Sequence, residues 1–76
     1  SQQVSVRLAE DVSGAPGKLC LRRIRITSEN GELIATTHTH QGSGNIHSMV
    51  AHNGLTLLPP DADGKARDII DALWLL

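Results

Sequence analysis

The sequence predicts a single small all-β domain carrying one short helix, and three observations lead there. Polar and apolar residues alternate at period two near the N-terminus, an Asn-Gly pair joins two β-rich runs, and turn-forming residues separate short apolar segments throughout the 76-residue chain. Val4, Val6 and Leu8 alternate with Ser5 and Arg7, the pattern of a half-buried strand. Glu10 to Gly17 holds Asp, Ser, two Gly and a Pro, which sustain neither period and read as a loop. Leu19 to Thr27 is β-rich, but its phase slips: Leu19 and Leu21 share one face, Ile24 and Ile26 the other. A bulge near Arg22 and Arg23 would restore a single apolar face.

Asn30-Gly31 supplies the two positive φ values of a type I′ turn, and Leu33 to His38 is the return strand. His40 to Gly44 breaks it. Ile46, Met49 and Val50 fall at i, i+3 and i+4, a short helix capped by Ser43 or Asn45 and ended at Asn53-Gly54. Leu55 to Leu58 forms a short strand stopped by Pro59-Pro60. The C-terminus fits both periods: Ile69, Ile70, Leu73 and Trp74 have helical spacing, whereas Ile70, Ala72, Trp74 and Leu76 alternate as a strand.

Composition narrows the function. One Trp with no Tyr or Phe leaves Val, Ile and Leu to build the core and provides no stacking platform for single-stranded nucleic acid. A net charge of −1 calls for neither a nucleic acid nor a membrane partner. No signal peptide or membrane span is visible, so a cytoplasmic location is expected, and the start at Ser1 leads us to expect a fragment of a larger multidomain protein. Cys20 has no partner for an internal disulfide and reads as a small buried hydrophobe between Leu19 and Leu21. The spacing of His38, His40, His47 and His52 matches no zinc framework, so no metal site is expected.

Two features could hold an anion. Four of the seven basic residues, Lys18, Arg22, Arg23 and Arg25, fall in one stretch, which also reads as a solvated strand face. Gly42-Ser43-Gly44 precedes the expected helix, where converging backbone N–H groups and a serine hydroxyl suit a phosphate or another oxyanion; a plain capped turn reads the same way. A nearby arginine favours the first reading, because guanidinium pairs bidentately with tetrahedral oxyanions.

Taken in order, Ala15-Pro16-Gly17-Lys18, Arg23-Ile24-Arg25-Ile26, Asn30-Gly31-Glu32-Leu33, Ala35-Thr36-Thr37, His40-Gln41-Gly42-Ser43-Gly44, Ala51-His52-Asn53-Gly54-Leu55 and Leu58-Pro59 resemble the C-terminal domain of the molybdopterin molybdotransferases, the MoeA and gephyrin E-domain family. The resemblance runs from about Val4 to the end. It implies a barrel-like module of β-clip type spanning residues 1–76, with Ile69 to Leu75 as a closing strand. It also implies a role in molybdenum cofactor biosynthesis, lining the cleft where molybdate is inserted into adenylylated molybdopterin. The parent enzyme would use magnesium and work as a homodimer, so the expected partners are its other domains, the dimer partner and the molybdopterin substrate.

The family's functional arginine and serine fall on Arg23 and Ser43, with Gln41, Gly42 and Gly44 beside them as substrate-binding residues. No catalytic residue or bound cofactor is expected in this domain alone, and it should not turn over by itself. Two departures from the family pattern bear on geometry: Arg67 stands where a glycine usually precedes the last strand, and Leu19 and Cys20 stand where polar residues are common. The alternative function is a non-catalytic protein-interaction module of gephyrin type, binding a partner by hydrophobic contact or strand addition.

Overall fold

In the computed structural model, which describes residues 1–37 and 51–75, five strands close into one barrel in the order β1-β3-β2-β4-β5. The strands are β1 (Gln2–Leu8), β2 (Arg23–Glu29), β3 (Glu32–Thr36), β4 (Gly54–Thr56) and β5 (Ile69–Trp74). There is no helix among the described residues. The short helix expected around Ile46, Met49 and Val50 lies outside them.

Alternation along β1 turns Val6 and Leu8 into the barrel, with Val4 half-buried behind them. β5 runs antiparallel to β1 from Gln2↔Trp74 to Arg7↔Ile69, so the C-terminal segment is the closing strand. The competition between its two periods is decided by pairing: Ala72 is fully buried and Ile70 and Trp74 pack on the core, while Ile69 faces outward, 60% exposed. A helix would have left the β1 edge unpaired, and helical propensity is too small to offset those ladder bonds.

β2 and β3 form the expected hairpin. Glu29 pairs with Glu32 across Asn30 (φ 52°) and Gly31 (φ 77°), the two left-handed residues of a type I′ turn. The segment before β2 corrects the expectation of a bulge. Cys20 bridges Leu58, Arg22 faces Thr56, and Ile24 pairs with Gly54, so each two-residue step on one strand matches two on the other. No residue is inserted at Arg22–Arg23.

The ladder is instead wedged by a side chain. The Arg22 amide donates to Thr56 Oγ1 at 2.8 Å, and the same hydroxyl donates to the Cys20 carbonyl at 3.0 Å. Cys20, Ile24 and Ile26 therefore share the inner face, and Leu19 and Leu21 lie outside, 49% and 46% exposed. Cys20 is buried and unpaired, as read from the sequence.

The core consists of Val6, Leu8, Val12, Cys20, Ile24, Ile26, Ala35, Leu58 and Ala72, with Trp74 packed at its margin. Val12 sits within the stretch read as loop and is held by a bridge to Gly64. The acidic residues of the second half serve the loops. Asp63 accepts from the Gly14 amide, Asp61 from the Gly17 amide and Asp68 from the Lys65 amide. Arg67, in place of the expected glycine, takes φ 77°; its amide donates to the Leu8 carbonyl and its carbonyl accepts from Arg7.

Candidate oxyanion site

Arg23 opens β2 opposite Leu55 and is exposed. Its neighbours Ile24 and Ile26 point inward, so strand alternation sends Arg23 and Arg25 out on the same face. Among the described residues the Arg23 guanidinium makes no hydrogen bond or ion pair. Its planar donor fork is therefore available to a ligand.

The other cations of the basic stretch divide. Arg22 is drawn away, with Nε donating to the Ser13 carbonyl at 2.6 Å. A surface depression of about 310 Å3 beside it is lined by Asp11, Val12, Ser13, Arg22 and Thr37, and the Asp11 carboxylate makes it a poor seat for an anion. Lys18 lies exposed next to the Pro16-Gly17 turn. Arg25 stays beside Arg23 and donates from Nη1 to the Ala51 carbonyl at 3.1 Å.

Gln41, Gly42, Ser43 and Gly44 lie outside the described residues, as do His38, His40 and His47. The ends of the connection that carries them are well placed. It leaves β3 at Thr37, whose amide and hydroxyl both donate to the Glu10 carboxylate, and Thr36 donates to the same group. It returns at Ala51, held by Arg25, followed by Asn53. The Asn53 side chain takes the place of a strand residue: Ile26 N–H donates to its Oδ1 at 2.6 Å, and its Nδ2 donates to the Ile26 carbonyl at 2.9 Å.

β3 and β4 flank β2 on either side. Both ends of the connection thus meet the strand that carries Arg23. Sequence reasoning singled out Arg23 but did not separate Arg25 from Arg22. The two-residue step from Arg23 was the available signal, and the apparent phase slip hid it. Glu10 and Thr56, which brace this region, carried no motif, and Asn53 stood in one only as part of the Asn53-Gly54 stop.

Among the described residues no three His, Cys, Asp or Glu side chains are grouped to hold a metal ion. No described helix is long and apolar enough to cross a membrane.

Comparison with known proteins gives one family. The model of the MoeA C-terminal region (domain IV) matches residues 5–68, most of the chain. A comparison with curated proteins finds no match. The matched stretch runs from within β1 through β4 and takes in Arg23 and the whole β3–β4 connection, and with the closed all-β barrel it shows that this chain belongs to the family of MoeA C-terminal regions, whose role is in molybdenum cofactor biosynthesis.

Proposed function

We propose that this domain lines the cleft in which molybdate is inserted into adenylylated molybdopterin, with Arg23 and Ser43 binding the oxyanion. The observation that carries the reading is the outward, unpartnered Arg23 guanidinium on β2, the strand that pairs with Thr36 before the connection and holds Ala51 after it, both through Arg25. Arginine offers paired N–H donors to two oxygens of a tetrahedral anion, and a serine hydroxyl flanked by glycine amides adds further donors. Gln41, Gly42 and Gly44 complete the binding residues.

The chemistry of insertion belongs to the parent molybdotransferase, in which other domains of the chain and a dimer partner close the cleft. This domain binds and orients; alone it does not turn over. The divalent metal implied by the family is assigned to the other domains of the parent enzyme. The setting is cytoplasmic, where molybdate and the molybdopterin substrate are met in solution.

An amide-shift titration with molybdate at low ionic strength tests the reading. Exposed ion pairs contribute only about 0–1 kcal/mol each, so half of a cleft should bind with a Kd of roughly millimolar, about −4 kcal/mol. Added salt should weaken it. Shifts clustered on β2 and lost in Arg23→Ala are expected. Shifts elsewhere, or unchanged in the variant, would sink the assignment of Arg23.

One observation supports a second reading, hydrophobic docking of a protein partner. Leu19 and Leu21 are exposed on the outside of the barrel, and half-buried Leu55 and Leu73, paired across β4 and β5, face the same way. With β5 bonded to β1 no strand has a wholly free edge, so side-chain contact rather than strand addition would be the mode.

A further inference from the structure

We propose that Arg25 is a second ligand of the same oxyanion, forming with Arg23 a two-guanidinium clamp on the outer face of β2; this rests on the reading of Arg23 given above. Both residues are exposed, with Ile24 buried between them, so the two side chains leave the strand in the same direction. Residues two apart on a strand are separated by about 6.7 Å. That spacing lets two long guanidinium side chains converge on one tetrahedral anion from either side, each reaching different oxygens.

Three features favour Arg25 over the other cations. Its Nη1 contact with the Ala51 carbonyl uses one of its donors and leaves the rest of the fork unengaged. The backbone beneath it is held rigid, since Asn53 bonds both the amide and the carbonyl of Ile26. The Glu10 carboxylate, in the bend after β1, is engaged by Thr36, the register partner of Arg25, and by Thr37. Arg22, in contrast, is committed to the Ser13 carbonyl and faces a depression that contains Asp11.

The pair discriminates by charge. Two fixed cations favour a tetrahedral dianion over a monoanion, which suits molybdate or a terminal phosphate group more than a phosphodiester. The test uses the 76-residue chain with molybdate in one titration and methyl phosphate in another. Wild type is compared with Arg25→Ala, Arg25→Lys, Arg22→Ala and Arg23→Ala, and each protein's melting temperature is recorded.

Arg25→Ala should raise the apparent Kd for at least one of the two dianions about three- to fivefold, from the loss of one exposed ion pair. It should also flatten the dependence of affinity on salt. Arg25→Lys should recover part of the affinity, and Arg22→Ala should bind as wild type does. The anion that responds more strongly identifies the source.

Unchanged affinity in Arg25→Ala, while Arg23→Ala still weakens binding, overturns the clamp and leaves the Arg23 reading intact. Loss of affinity that Arg25→Lys does not relieve, with a lowered melting temperature in both Arg25 variants, also overturns it, because Arg25 then acts only by holding Ala51. Absence of β2 shifts in the wild type overturns the Arg23 reading itself, and the clamp with it.

Discussion

At Arg67 the chain takes φ 77° just before β5, a conformation that a side chain with a Cβ adopts only at a cost of about 1–2 kcal/mol. Two backbone contacts hold it there, from its amide to Leu8 and from Arg7 to its carbonyl. Both survive replacement by glycine. Arg67→Gly should therefore stabilise the domain by about 0.5–1 kcal/mol, once the greater unfolded-state freedom of glycine is subtracted, and a higher urea midpoint at unchanged slope would show it. Gly54 presents the opposite case. A Cβ there would meet Ile26 Cδ1 at 2.6 Å and the Leu73 carbonyl oxygen at 2.9 Å. The isoleucine tip can turn aside, but the β5 backbone cannot, so Gly54→Ala should destabilise by about 1–3 kcal/mol in the same measurement.

Between elements, one buried hydroxyl adds to the backbone bonds that join the Cys20–Arg22 segment to β4 and Leu58. Thr56 is fully buried, accepts from the Arg22 amide and donates to the Cys20 carbonyl. Valine has the same shape but leaves the Arg22 amide without its acceptor, while the Cys20 carbonyl keeps the Leu58 N–H. Thr56→Val should cost about 1–3 kcal/mol, and amide exchange at Arg22 should quicken by a larger factor than at Ile24. A loss confined to a few tenths of a kcal/mol would show that water or backbone movement replaces the hydroxyl. The same wedge explains why the apparent phase slip between Leu21 and Ile24 misled: counting Leu19 and Leu21 as core demanded an inserted residue, whereas Cys20 turned inward keeps the register intact.

For the whole molecule, closure replaces size. Six of the nine buried apolar core residues lie on strands, and Val12, Cys20 and Leu58 join them from isolated bridges. Every strand is paired on both sides, so no metal is expected to be required for folding. The melting temperature should be the same with and without a chelator, and unfolding on chelation would show that histidines outside the described residues hold a structural metal. Recognition is proposed for the outer surface, where Arg23 and Arg25 on β2 lie beside the leucines of β4 and β5. Arg23→Ala, which removes no packing contact from the core, should leave the melting temperature unchanged while weakening the molybdate response several-fold. A fall in melting temperature with the binding loss would mean that Arg23 serves the fold.

Much of this was legible in the residues themselves. Alternation along Val4, Val6 and Leu8 and the positive-φ pair Asn30-Gly31 determine a strand and a hairpin by local sterics, which need no neighbour. The ordered motifs around Arg23 and Gly42-Ser43-Gly44 carried the family. Three things waited on the tertiary structure. The C-terminal segment satisfied two periods equally, and only the unpaired edge of β1 chose the strand. Alternation alone left the inward face of the Cys20 segment undecided, until the bridge to Leu58 and the Thr56 hydroxyl turned Cys20 in and both leucines out. The four cations of one basic stretch were equivalent on paper. A carbonyl at Ser13 took Arg22 away and left Arg23 and Arg25 together, because where a long side chain goes depends on which partner the fold brings within its reach.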